Sequence, residues 1–240
     1  MKKPTIIAVM PAYNASKTLE KTINDIPKNT VDKIILVDDN STDTTVKLAK
    51  QLGLQVIKHP QNRGYGGNQK TCYTTALNEG ADIVVMIHPD YQYDSTLTGK
   101  LIEPIIEGRF DVMLGSRIRT RAEALAGGMP LWKYIPNRFL TLAENTVLGQ
   151  NLSEYHTGFR AFSKKSLESV PFHRYSDKFV FDQDILLGMI AKGFRVGEIP
   201  VPVRYFEEAS SANFKSSVVY GLSILYDLGL YMATGGKWFI

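Results

Sequence analysis

Short apolar runs alternate with helix-forming stretches through the first half of this chain, and that alternation constrains its fold more than any other feature. Thr5–Met10 (TIIAVM), Lys33–Val37 (KIILV), Leu54–Lys58, Asp82–Ile87 (DIVVMI) and Phe110–Leu114 read as strands. The near-continuous apolar character of these runs is that of strands covered on both faces. Between them Lys17–Ile26, Asp43–Leu52, Gly66–Asn78 and residues 95–107 read as helices. Ser16 is the expected cap of the first, and Gly53 and Gly80 stop the second and third. Strand–helix–strand units of this length close as right-handed crossovers, so the expected class is α/β with a mostly parallel sheet and helices on both faces.

The second half is less regular. Pro130–Gly149 holds a helix whose apolar residues Trp132, Ile135, Phe139, Leu142 and Thr146/Val147 form one stripe. His156–Phe162 reads as a strand, Phe181–Lys192 as a helix, and two short strands flank Pro200 and Pro202. Ser217–Ala233 is apolar except for Asp227. It falls short of the roughly 20 residues that span a bilayer, so a buried or interfacial helix is expected. The stripes at 132–148 and 217–233 can pack in the core or rest on a membrane surface.

The 240 residues suit one large domain, and the single cysteine, Cys72, allows no internal disulfide. A reducing compartment is expected. The run after Pro4 is too short for a secretory signal. The net charge of +4 is unevenly placed: Arg117, Arg119, Arg121, Lys133 and Arg138 face only Glu123 between residues 116 and 138. Such a segment is a solvated loop or a phosphate or membrane-surface site. No basic-aromatic module accompanies it, so a nucleic-acid partner is not expected.

In open parallel sheets the ligand lies at the carboxyl ends of the strands. After the first strand comes Pro11-Ala12-Tyr13-Asn14, after the second Asp38-Asp39-Asn40-Ser41-Thr42-Asp43, after the fourth His88-Pro89-Asp90-Tyr91-Gln92, and after the fifth Gly115-Ser116-Arg117. Carboxylates at two strand ends suit a nucleotide with a divalent cation: one accepts from ribose or base, the other holds the cation against two phosphates. The local alternative is a turn followed by a helix cap, which Ser41 or Asp43 would serve. Gln61–Lys70 (QNRGYGGNQK) is either a backbone approach to the donor by three glycines beside Arg63 and Lys70, or a plain loop. It is not a P-loop. No GxGxxG follows the first strand, which argues against a dehydrogenase.

The ordered set PAYN, VDDNSTD and an Asp motif after the fourth strand, followed by GSR at 115–117, HTGFRAF at 156–162 and a helix with Asp182 and Asp184, resembles the family-2 glycosyltransferases of GT-A fold. Within them it is most similar to the polyprenyl- and dolichyl-phosphate sugar synthases. The resemblance implies a Rossmann-like sheet with a smaller mixed acceptor region. Residues 1–118 would form the nucleotide-sugar half and 119–240 the acceptor half of one compact domain. It implies that Pro11, Ala12, Tyr13, Asn14, Val37, Asp39, His88 and Asp90 contact the donor, and that Asp90 and Gln92 hold Mg²⁺ or Mn²⁺, with His88 either a further ligand or only a hydrogen-bond partner of a diphosphate oxygen. Arg117 and Arg138 would hold an acceptor phosphate, and Asp184 or Asp182 would be the base. Two positions depart from the pattern: His88 stands where the metal motif usually begins with Asp, and Ala15 where a glutamate often follows Asn14.

The implied reaction is inverting transfer from a UDP- or GDP-sugar. A phosphate monoester is already anionic at neutral pH and has mainly to be positioned, which arginine does well. A sugar hydroxyl, the alternative acceptor, would need a base. A non-catalytic nucleotide-binding relative is the alternative of another class. The expected partners are the donor and a lipid-linked phosphate, with a homo-oligomer left open, at the cytoplasmic face of a membrane. Tyr205–Lys215 is a candidate lid.

Overall fold

The computed structural model describes residues 3–118, 120–202 and 214–240. The candidate lid and Arg119 therefore lie outside the described residues, apart from the first turn of the last helix. The strands are β1 (Ile6–Ala12), β2 (Lys33–Asp38), β3 (Gln55–Lys58), β4 (Ile83–Met86), β5 (Val112–Ser116), β6 (Arg160–Ser163) and β7 (Val196–Pro200). They form one sheet in the order β3-β2-β1-β4-β6-β5-β7. The pairs β1–β2, β2–β3, β1–β4 and β5–β7 are parallel, and β6 runs antiparallel between β4 and β5. The sheet is mostly parallel, as expected, and it continues through both halves of the chain.

The alternation of side chains along a strand divides the core. Ile7 and Val9 of β1, with Ile35 and Val37 of β2, face a cluster that includes Tyr73 and Phe181. Ile6, Ala8 and Met10, with Leu36, face the other, which includes Leu19 and Leu101. Helices cover both faces: α1 (Leu19–Asn24), α2 (Thr45–Gln51), α3 (Gly64–Asn78), α4 (Thr98–Ile106), α5 (Arg121–Ala126), α6 (Leu131–Leu148), α7 (Lys164–Ser169), α8 (Phe181–Ala191) and α9 (Phe214–Thr234). Ser16 does not cap α1. The N-cap is Thr18 and makes no side-chain cap bond, while the Ser16 N–H donates to Asp43 at 3.1 Å.

Helix α6 inverts the usual arrangement. It buries Asn137, Thr141 and Glu144 beside Leu140 and Leu148. The stripe Trp132, Ile135, Phe139 and Leu142 points outward, Ile135 and Phe139 each 62% exposed. Helix α9 buries Ile224, Asp227 and Leu228 but exposes Val218, Val219, Leu222, Leu225 and Tyr226. Among the described residues no helix is long and apolar enough to cross a membrane.

Candidate active site

Because β6 is antiparallel, its N-terminal end meets the carboxyl ends of β1, β2, β4 and β5 at one edge of the sheet. A cleft of 690 Å³ opens there. Pro11, Ala12, Tyr13, Asn14, Asp39, His88, Asp90, Gln92, Arg117 and Asp182 all line it. The loops that carry the motifs adopt backbone that L-residues rarely take: Asn14 (φ 51°), Asn40 (φ 65°) and Tyr91 (φ 61°) are left-handed.

The first two motif loops are bolted together. Asn14 donates its N–H to Ser41 Oγ at 2.9 Å, and its side-chain oxygen accepts from the Thr42 N–H at 2.9 Å. The Ala15 N–H donates to Thr45 Oγ1 at 2.8 Å. The adjacent carboxylates divide the work. Asp38, fully buried, accepts from the Ser41 N–H at 3.0 Å and closes the turn. Asp39 reaches the cleft, and its Oδ1 lies 2.7 Å from His59 Nδ1 and accepts from the Arg63 N–H at 2.8 Å. Its Oδ2 accepts from the Gly64 N–H at 3.0 Å. The turn reading of VDDNSTD thus holds for Asp38 and Ser41, while Asp39 lines the cleft.

Asp90, half-buried in the cleft, has its carboxyl pushed above the ordinary range because burial disfavours the charge, with His88 acting against the shift. Its Oδ1 accepts from the Gln92 N–H at 3.1 Å. Among the described residues no three His, Cys, Asp or Glu side chains cluster closely enough to hold a metal by themselves. What the segment after β4 does offer the cleft is one half-buried carboxylate (Asp90), one imidazole (His88) and one amide (Gln92), a mixed set that suits Mn²⁺ better than Mg²⁺. A carboxylate whose charge is disfavoured by burial would be stabilised by a cation, so Asp90, His88 and Gln92 fit such an ion.

Three expected site residues do not line the cleft. Val37 is fully buried in the core under α3, and only its carbonyl is used, accepting from Asn68 Nδ2 at 3.0 Å. Arg138 donates to the Ser153 carbonyl behind α6. Asp184 accepts from the Ser176 N–H at 3.0 Å and pairs with Asp227 of α9. A helix turns about 100° per residue, so Asp182 and Asp184 cannot both face the cleft. Lys70, in the glycine-rich segment 61–70, donates to the Tyr175 carbonyl at 2.5 Å and to Asp177 Oδ1 at 2.7 Å. The glycines beside it serve packing: a Cβ on Gly66 would lie 2.8 Å from Phe181 Cβ.

Other residues were hidden from the sequence. Arg117 is gripped by fully buried Glu154, with Nε donating to Oε1 at 2.9 Å, and its Nη2 donates to the His156 carbonyl at 2.5 Å. Lys133 also lines the cleft. Its ammonium is pushed below the usual range by burial first and by the like charge of Arg117 second. Two cations that raise each other's energy mark a place where an anion is favoured. Tyr65 and Gly158 line the cleft as well, and Gly158 N–H donates to Tyr93 Oη at 2.9 Å. Only the clustering of basic residues after 116 hinted at Lys133. Gly158 falls within HTGFRAF and Tyr65 within the glycine-rich segment 61–70, but nothing local pointed to Glu154.

The sequence profile of Glycosyl transferase family 2 matches residues 7–170, more than half of the chain. The chain belongs to glycosyl transferase family 2. This glycosyltransferase is 30% identical to the UDP-N-acetylglucosamine–dolichyl-phosphate N-acetylglucosaminyltransferase of Methanococcus voltae, over 93% of this chain and 94% of the relative. It is also 30% identical to a low-salt glycan biosynthesis hexosyltransferase of Haloferax volcanii, over 89% of this chain and 50% of that protein. Its fold is that of glucosyl-3-phosphoglycerate synthase from Mycobacterium tuberculosis, solved with Mn²⁺, UDP and glucosyl-3-phosphoglycerate. That match has a TM-score of 0.71 and 20% identity, covering 92% of this chain and 77% of the synthase.

Proposed function

We propose that this glycosyltransferase moves a sugar from a UDP-sugar to a polyprenyl or dolichyl phosphate at a membrane surface. The carrying observation is the composition of the cleft wall: Arg117 and Lys133 lie beside Trp132, Phe139, Leu222 and Leu225, whose apolar side chains continue outward along α6 and α9. A phosphate attached to a long apolar chain matches cations in the cleft and an apolar rim outside it. The Methanococcus relative, named for a dolichyl-phosphate acceptor and a UDP donor, supports the same pairing.

In this reading residues 1–118 hold the donor and 119–240 the acceptor. Tyr13, 56% exposed at the cleft, offers an aromatic surface to the base. Asp39, braced by His59 and two backbone N–H groups, meets base or ribose. Asp90, His88 and Gln92 would hold Mn²⁺ or Mg²⁺, which supplies charge stabilisation to the departing diphosphate. Arg117 and Lys133 place the acceptor phosphate so that an anionic oxygen attacks the anomeric carbon as the bond to the nucleoside diphosphate breaks. No base is required for that acceptor. Transfer to a sugar hydroxyl would require one. Asp184 is turned away, and both oxygens of Asp182 already accept hydrogen bonds.

The test is incubation of the protein with radiolabelled UDP-sugars, Mn²⁺ or Mg²⁺, and a polyprenyl phosphate. Label is expected in the organic-extractable fraction. Label transferred only to water-soluble saccharides would overturn the lipid-phosphate assignment.

A further inference from the structure

Tyr65 of α3 touches two groups that lie far apart in the chain. Its hydroxyl donates to Asp182 Oδ2 at 2.6 Å and lies 3.3 Å from His88 Nε2. Its ring stacks with that of His88 at an interplanar angle of 2°. A phenol has one proton. The shorter contact, to a carboxylate, takes it. Toward His88 the phenol oxygen can then only accept, so His88 Nε2 must carry the hydrogen.

The polarity of this contact is imposed from behind. Tyr73 Oη donates to Gln69 Oε1 at 2.8 Å, and Gln69 Nε2 donates to Asp182 Oδ1 at 3.0 Å. Both carboxylate oxygens of Asp182 therefore accept, and buried Arg160 is among its opposite charges. Every bond in the series Tyr73–Gln69–Asp182–Tyr65–His88 has its direction fixed. At its end the neutral imidazole keeps its lone pair on Nδ1, which makes no hydrogen bond among the described residues. Gly158 makes room for the ring: a Cβ there would lie 2.5 Å from His88 Nε2.

We infer that Tyr65 and Asp182 are positioning residues that lock His88 in the Nε2–H tautomer, so that its Nδ1 presents a lone pair to the nucleotide-sugar or its cation. His88 then does as an acceptor what a carboxylate would do at that point of the cleft, and Asp182 acts through Tyr65 rather than as a base. The use made of Nδ1 rests on the donor-site reading above. The tautomer itself does not.

The tautomer is read by long-range nitrogen–proton NMR of ¹⁵N-histidine protein at a pH where the ring is neutral, with His88→Gln identifying the resonances. The wild type is expected to show His88 as Nε2–H. Tyr65→Phe removes the acceptor and should leave a mixture of tautomers. Asp182→Asn is the sharper variant. Its amide can donate to the Tyr65 oxygen, which frees the phenol proton for His88 Nε2 and should turn the ring to Nδ1–H. UDP binding in Mn²⁺, followed by calorimetry, should then weaken about 10-fold or more, the usual cost of losing a partner that orients a ligand. His88 found as Nδ1–H in the wild type, or the same tautomer in all three proteins, overturns the inference. If the tautomers behave as stated but UDP does not bind the wild type, the donor-site reading fails and the positioning role stands.

Discussion

The two walls of the cleft are built on opposite plans. On the donor wall the polar groups at the ends of β1 and β2 are tied to one another: Asn14 to Ser41 and Thr42, and Asp39 to His59, Arg63 and Gly64. Such a wall is organised before any ligand arrives. On the wall proposed to meet the acceptor, α6 and α9 hide polar side chains and show apolar ones, and Lys133 stands beside Arg117, whose charge Glu154 meets. The first plan recognises a polar molecule of fixed shape. The second is completed by something amphiphilic, or by a surface.

The largest expected effect lies on the donor wall. Asp90→Ala should lower transfer by about three orders of magnitude while the fold, followed by circular dichroism, is kept, since in the proposed reading it removes the carboxylate that would hold the cation at the departing diphosphate. Transfer within tenfold of wild type would move the cation site elsewhere.

Next comes the joint between the walls. Arg117→Ala leaves the buried Glu154 without the guanidinium that grips it, a loss of about 3–5 kcal/mol in a urea titration. Replacing both, with Arg117→Met and Glu154→Leu, should return most of that stability without returning activity. Recovery of activity would show that Arg117 holds the wall together and nothing more.

The same contrast explains what the sequence discloses. The polar groups of one wall sit in contiguous motifs at strand ends, so the place of Pro11, Tyr13, Asp39 and Asp90 at the cleft is legible one loop at a time, and the mostly parallel sheet follows from the strand–helix alternation. The antiparallel insertion of β6 is not legible, because the apolar pattern of residues 156–162 carries no direction. Nor is the orientation of α6, where the apolar stripe points outward and Asn137, Thr141 and Glu144 point in. Pattern alone assigns the apolar face to the core. The partners that matter most join residues far apart: Tyr65 and Asp182 are separated by 117 positions. Asp184 was chosen by motif, and only the phase of α8 shows that it faces α9.

That turned-away carboxylate gives an intermediate effect. Asp227 has its carboxyl pushed up to about 7, by burial first and by Asp184 second. Asp182 on α8 adds to the burial that raises Asp184, while Lys70 on α3 opposes it. A folded-state value above the unfolded 3.8 means that the folded protein binds the extra proton. The resulting stability is full below about pH 4 and is lost as pH rises through about 7, by roughly 2–4 kcal/mol. Asp227→Asn mimics the protonated form and should flatten that slope in unfolding titrations near pH 5 and pH 8. An unchanged slope would place the pH sensitivity elsewhere.

The smallest effect on stability tests the acceptor wall most directly. Ile135 and Leu142 are 62% and 66% exposed on α6 and, unlike Phe139, do not line the cleft. Exchanging both for serine removes little buried surface, so each change should alter folding stability by less than about 0.5 kcal/mol. If the stripe faces only water, nothing else changes either. If it rests on lipid, each side chain loses roughly 1.5–3 kcal/mol of burial at the membrane, and co-sedimentation with anionic lipid vesicles should fall by more than tenfold while UDP binding is retained. Transfer to a polyprenyl phosphate in vesicles should fall with it. Transfer to a short-chain, water-soluble prenyl phosphate should not, because that acceptor needs the cations of the cleft but not the apolar rim. Equal losses on both acceptors would mean that α6 shapes the cleft itself, and the contrast between an organised wall and a surface-seeking wall would have to be redrawn.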